Sequence, residues 1–152
     1  MNATVNHSFG MRARQEMSRA ERYCLFLSLM LIDMNELSRA LAARTPGNEV
    51  PEEELRQHIE DGVRSALRAS DVVASYDQSR IGVLLMETSR SGLEIVKQRI
   101  SAFLIDYLRG TLQLPFEPAV TIRDASFPEE SEQFIELTQL VNRVQPYLAT
   151  GE

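Results

Sequence analysis

The chain has 152 residues, of which 43% are hydrophobic and 25% charged, with a formal net charge of −6. This is the size and composition of one globular domain with its own core. The acidic balance excludes broad electrostatic binding to nucleic acid or to an anionic membrane, while a local basic pocket remains compatible with it.

Residues 1–11 lack a basic start followed by an apolar stretch, so they read as a flexible leader rather than a signal peptide. A single domain is expected over 12–148, with a short tail at 149–152. Arg12 to Arg22 has helix-forming composition and little apolar face. Tyr23 to Asp33 is apolar enough for a central strand buried on both faces. Its longest apolar run, Cys24 to Ile32, is too short to span a bilayer. Cys24 is the only cysteine. No disulfide can form within the chain, which fits a reducing cytoplasm, and a buried structural thiol is expected there. Met34 to Ala43 can be helical, and Thr45-Pro46-Gly47-Asn48 signals a loop.

A second helix is expected from Pro51. Proline suits the first helical position, and Glu52, Glu53 and Glu54 suit the positive end of the helix dipole. Leu55, Ile59, Val63 and Leu67 form an i, i+4 stripe. Asp71 to Tyr76 and Ile81 to Met86 read as two strands joined by a polar turn. Ser91-Gly92-Leu93-Glu94 has the pattern of a capping box. The helix it would open carries Leu93, Val96, Ile100, Phe103, Leu104 and Tyr107 and is predicted to stop at Gly110. Ala119 to Ile122 reads as a strand. Phe134, Leu137, Leu140, Val141 and Val144 suggest a final helix ending before Pro146. The order is strand, helix, hairpin, helix, strand, helix. It predicts an α+β fold of the ferredoxin-like, split βαβ type, with a mainly antiparallel sheet covered by helices.

Several segments, in order and at matching spacing, carry a family resemblance. They are Ala20-Glu21-Arg22-Tyr23, then Leu27 to Asn35, then Leu67 to Tyr76, then Leu84-Leu85-Met86-Glu87-Thr88, and finally Val120-Thr121-Ile122 with Ala125-Ser126-Phe127-Pro128. Together they resemble the GGDEF family, the nucleotide cyclase-like domains that make cyclic di-GMP from two GTP.

The resemblance implies two divalent cations held by acids from the first strand and the signature turn, since hard cations take charged oxygen ligands. Asp33 matches the first-strand ligand. Asp77, Gln78, Ser79, Arg80 and Ile81 stand where the signature belongs. Ser79 replaces the metal-binding acid and Arg80 brings a positive charge. Leu41 and Val50 stand where the family's guanine-contacting Asn and Asp belong. The expectation is therefore a degenerate domain that is not an enzyme, with no metal, no cofactor, and Asp33 as a remnant.

In the family, product also binds an inhibitory site built on R-x-x-D just before the signature. Arg68-Ala69-Ser70-Asp71 has that pattern, and Arg99 falls at the place of the arginine that completes the site. A guanidinium presents a planar donor fork to phosphate or to guanine O6 and N7, and a carboxylate accepts from guanine N1–H and N2–H. Without the resemblance, Arg68 reads as a helix-end residue offsetting the dipole, with Asp71 pairing to it. The resemblance implies cyclic di-GMP as the ligand, taken as an intercalated dimer that can join two domains into a homodimer. The domain would then act as an effector or regulatory module in bacterial signal transduction. The rival expectation is a ligand-independent module that docks a protein partner or dimerises through its helices. Neither reading involves nucleic acid or membrane. His7 and His58 belong to no catalytic or metal pattern.

Overall fold

The computed structural model describes residues 2–44, 52–77, 79–114 and 119–150, except for the side chains of 2–8, 44, 52 and 142–150. The described residues form α1 (Asn2–Tyr23), β1 (Leu27–Asp33), α2 (Asn35–Arg44), α3 (Glu52–Arg64), β2 (Val72–Asp77), β3 (Arg80–Met86), α4 (Arg90–Asp106), β4 (Thr121–Phe127) and α5 (Ser131–Thr150). The strands make one sheet in the order β2-β3-β1-β4, antiparallel throughout. This is the α+β, split βαβ architecture predicted from the order of elements.

β1 lies inside the sheet, and its residues alternate between two cores. Leu27, Leu29 and Leu31 pack with Phe9 and Ala13 of α1 and with Phe134, Leu137 and Val141 of α5. Met30 and Ile32 pack with Leu37 of α2, Leu55, Ile59 and Val63 of α3, and Leu93, Ile100 and Leu104 of α4. Burial on both faces explains why the sequence of β1 is apolar without a polar alternate. Ser28 is its buried exception. Its hydroxyl donates to the Thr88 carbonyl at 2.8 Å and lies 2.9 Å from the Ser126 hydroxyl on β4.

Several expectations from the sequence are corrected. The stretch read as a leader is helical from Asn2. Phe9 anchors it, only 2% exposed, stacked on Tyr76 with ring centroids 6.2 Å apart. Gly82 makes room for that ring, since a Cβ there would sit 2.3 Å from a Phe9 carbon. Cys24 is exposed rather than buried. It has φ 57 and follows the last turn of α1, and the Leu25 N–H donates to the Ala20 carbonyl at 2.9 Å. This is a Schellman cap, in which the left-handed residue turns out of the helix.

The proposed capping box is also absent. Ser89 is the N-cap of α4, without a side-chain cap bond, so Ser91 and Glu94 both lie inside the helix. Glu94 instead pairs with Arg90 at 3.0 Å. The helix passes Gly110 as a π-helical turn, Tyr107–Leu112, because Leu108 and Leu112 continue the buried face. β4 extends to Phe127 because it pairs with the whole of β1, and α5 extends to Thr150. The loop at Thr45–Asn48, the helix start at Pro51, and Val50 lie outside the described residues.

Asp124 joins β4 to α4. Its side chain is 7% exposed, and it meets Arg90 Nη1 and Lys97 Nζ, each at 2.8 Å. Burial pushes this carboxyl up, but the hydrogen bonds and charges of Lys97 and Arg90 outweigh burial and hold it below its usual value. A carboxyl lowered in the folded state stabilises the fold above its unfolded pKa, and that stabilisation is lost as pH falls through the folded value. Asp124→Asn should therefore cost about 2 kcal/mol at pH 7. The deficit against wild type should shrink below about pH 4. Urea midpoints at both pH values measure it.

Candidate functional site

The resemblance directs attention to two places, the β2–β3 turn and the region between the end of α3 and the start of α4.

At the turn, antiparallel pairing sets Asp33 of β1 opposite Arg80 of β3, and Asp77 of β2 also pairs with Arg80. The Arg80 guanidinium bridges the two acids. Nε donates to Asp33 Oδ2 at 3.1 Å and Nη1 to Asp77 Oδ2 at 2.5 Å. Burial disfavours the charge on Arg80, but hydrogen bonds and attraction from Asp77 and then Asp33 outweigh it and raise its pKa. The remaining carboxylate oxygens accept from the backbone, with Asn35 N–H donating to Asp33 and Ser79 N–H to Asp77. The Ser79 hydroxyl donates to the Asn35 amide oxygen at 3.0 Å. Ile81 is a core residue facing Ile32. Gln78 lies outside the described residues. Leu41 packs against the core beside α3 and α4. Among the described residues no group of three or more His, Cys, Asp or Glu side chains is placed to hold a metal ion.

At the second place, α3 ends at Arg64 and the chain turns through hydrogen bonds from Ala66 N–H to the Val63 carbonyl and from Leu67 N–H to the Arg64 carbonyl. This turn delivers Arg68 and Asp71 to the edge of a pocket of about 410 Å³. The β3–α4 connection supplies Glu87, Thr88 and Ser89 to its wall, and α4 supplies Ile95 and Arg99. Arg68 and Asp71 of the R-x-x-D pattern and Arg99, the arginine that the resemblance adds to them, therefore line one pocket, although Arg99 comes from a different element.

Their surroundings differ. The Asp71 side chain is 2% exposed. Its Oδ1 accepts from Met86 N–H at 3.0 Å and Arg68 Nη2 at 3.3 Å, and its Oδ2 accepts from Arg68 N–H at 3.0 Å and meets Arg68 Nε at 3.5 Å. A carboxylate has about four lone-pair positions, and all of Asp71's point within the chain. Asp71 is thus the hinge pin that holds the end of α3 against β3 and fixes Arg68.

Arg68 also donates through Nη2 to the Met86 carbonyl and to Thr88 Oγ1. Its side chain is nonetheless 60% exposed, and among the described residues Nη1 has no partner. Arg99 is exposed and takes part in no ion pair among the described residues. Both guanidinium groups thus remain accessible at the pocket.

Sequence reasoning missed Glu87, Thr88 and Ser89 as pocket residues. They were visible as the end of the Leu84–Thr88 segment, but nothing in that pattern reveals which way the chain turns after β3. His58 is exposed on α3 and stacks on Tyr107, with ring centroids 4.5 Å apart. Among the described residues no helix is long and apolar enough to cross a membrane.

No family model and no curated protein matches this sequence. Solved structures do match its fold. The GGDEF domain of YfiN (or TpbB) from Pseudomonas aeruginosa aligns with a TM-score of 0.69 at 18% identity, over 93% of this chain and 89% of that one. The diguanylate cyclase SiaD from Pseudomonas aeruginosa, solved with its activator SiaC, aligns at 0.63 and 14% identity, over 91% of this chain and 54% of that one. The GGDEF domain of DgcB from Caulobacter crescentus, solved in complex with c-di-GMP, aligns at 0.55 and 12% identity, over 93% and 84%. The chain has the GGDEF-domain fold.

These likenesses correct the expectation that the chain is not an enzyme. Its fold is shared with a protein described as a diguanylate cyclase. The turn, read from sequence as lacking the metal-binding acids at Ser79 and Arg80, sets the carboxylates of Asp33 and Asp77 against one another across Arg80. Its geometry carries no argument for inactivity.

Proposed function

We propose that this domain binds cyclic di-GMP in the pocket between the end of α3 and the start of α4, and acts as a regulatory module that reads the ligand. The observation that carries the proposal is the meeting of Arg68, Asp71 and Arg99 on one pocket of about 410 Å³. That volume lies in the range of small-molecule sites.

The chemistry suits a ligand with phosphates and guanine edges. Two accessible guanidinium groups offer forked donors to phosphate oxygens or to guanine O6 and N7. The first turn of α4 lines the same pocket through Ser91 and Gly92, and the positive end of a helix dipole favours an anion. Ile95, an exposed apolar side chain on the pocket wall, offers a surface for a base. The c-di-GMP complex of DgcB, a chain of the same fold, supports this choice of ligand. Asp71 contributes indirectly by holding Arg68 in place. A ligand dimer bridging two pockets would couple binding to homodimer formation.

Arg99→Ala tests the site with little effect on the fold, since Arg99 is exposed and unpaired among the described residues. Titration with cyclic di-GMP should show affinity weakened by about 10- to 100-fold, the loss of one or two charge-assisted hydrogen bonds. Unfolding stability should stay within about 0.5 kcal/mol of wild type. Unchanged affinity would remove Arg99 from the site. A protein whose oligomeric state ignores the ligand while a protein partner is captured would favour the rival interaction module.

A further inference from the structure

The β3–α4 connection leaves the sheet at Met86, the last residue of β3 in register with β1. Glu87 then takes φ 50. A left-handed backbone is uncommon for a glutamate, and it is kept only where surroundings hold it. Before Glu87, Asp71 accepts the Met86 N–H at 3.0 Å, and the Met86 carbonyl accepts from Arg68 and from Thr88 Oγ1. After Glu87, Thr88 lies beyond the strand pairing and is buried. Its carbonyl accepts at 2.8 Å from the hydroxyl of Ser28, 60 residues earlier in the chain.

Ser28 is fully buried on β1, on the face that Met30 and Ile32 give to the core. A buried hydroxyl costs free energy unless it is hydrogen-bonded. Here it is bonded twice. A hydroxyl has one proton, and the Ser28 proton goes to the Thr88 carbonyl, which can only accept. The 2.9 Å contact with Ser126, opposite Ser28 on β4, is therefore donated by Ser126. Ser126 orients Ser28, and Ser28 holds the backbone of Thr88. Thr88 Oγ1 in turn accepts from Arg68 Nη2 at 3.0 Å. Nη2 also donates to Asp71 and to the Met86 carbonyl, which leaves Nη1 for a ligand.

We infer that Ser28, which does not line the pocket, is a positioning residue for the ligand: through the Thr88 carbonyl it fixes Thr88 Oγ1, and through Oγ1 the guanidinium of Arg68. The inference rests on the cyclic di-GMP reading of the pocket and adds a residue from the centre of the sheet that sets its affinity.

The test is calorimetric titration with cyclic di-GMP at a temperature where every variant is folded, with urea unfolding read beside it. Ser28→Ala should weaken binding about 5- to 10-fold, the loss of one buried hydrogen bond. Ser126→Ala breaks the same hydroxyl pair but leaves the Ser28 proton on the Thr88 carbonyl. It should lower the urea midpoint about as much as Ser28→Ala while keeping affinity within about twofold of wild type, which separates positioning from core stability. Thr88→Val keeps the threonine's shape but removes Oγ1, the atom through which Ser28 reaches Arg68. In that background Ser28→Ala should cost less than about twofold further, because both substitutions cut one path. Ser28→Cys fills a similar space with only a weak donor, should lose most of the same affinity, and carries the test should the alanine variant unfold. Affinity in Ser28→Ala within about twofold of wild type, while Arg68→Ala still loses binding, would make Ser28 a residue of the core alone and leave the pocket assignment standing. Equal losses in Ser28→Ala and Ser126→Ala, or a full further loss in the Thr88→Val background, would tie affinity to core packing and likewise overturn the inference. If wild type itself does not bind cyclic di-GMP, the inference and the reading it rests on fall together.

Discussion

Arg68→Ala is expected to weaken cyclic di-GMP binding by on the order of 100-fold or more, which is about 3 kcal/mol, measured by calorimetric titration. Two effects combine. The substitution removes an exposed guanidinium fork whose Nη1 faces no described partner. It also removes the clamp on the Met86 carbonyl and Thr88 Oγ1 that pins the pocket's β3–α4 wall. Arg68→Lys should fall between wild type and alanine, since an ammonium keeps the charge but cannot span Asp71, Met86 and a ligand at once. The cost in stability should be much smaller than the cost in affinity. Asp71 still accepts the Arg68 and Met86 backbone N–H groups in the variant, and the lost Arg68–Asp71 contact is long, 3.3 Å, on a side chain that is largely exposed. A variant that unfolds rather than losing affinity would make Arg68 a structural residue.

Phe9→Ala should destabilise the fold by about 3–5 kcal/mol in urea unfolding, the usual cost of deleting a buried aromatic. Phe9 fills the space above Gly82 and stacks on Tyr76, so its loss leaves a cavity against the sheet. Tyr76 immediately precedes Asp77, so loosening this contact should be felt at the turn that carries Arg80. A loss below about 1 kcal/mol would show that the first half of α1 contributes little to the fold.

The strands, the helical stripe of Leu55, Ile59 and Val63, and the split βαβ order were legible because they rest on hydrophobic periodicity, which two-sided burial enforces directly. Features that depend on a single dihedral were not. Cys24 and Glu87 both adopt positive φ, and no residue type at either position announces it. The helix at 2–11 was missed because, among its described side chains, Phe9 alone is a buried large apolar residue, and a lone aromatic makes no periodic pattern. Motif spacing singles out Arg68, Asp71 and Arg99, and the turn after α3 together with α4 brings them to one pocket. Spacing did not reveal that Asp71's oxygens are all engaged within the chain, because Met86 N–H reaches it from 15 residues away. The turn was read for the acids missing at Ser79 and Arg80. That Asp77, in a glycine's place, faces Asp33 follows from sheet register and a bulge between Ser75 and Asp77.

The most direct measurement is calorimetric titration of the wild-type domain with cyclic di-GMP. Saturable binding is predicted, with a Kd at or below about 10 µM, corresponding to roughly −7 kcal/mol. The absence of saturable heat with ligand raised to about 1 mM, where only contacts weaker than about −4 kcal/mol would escape notice, would contradict the assignment of the pocket.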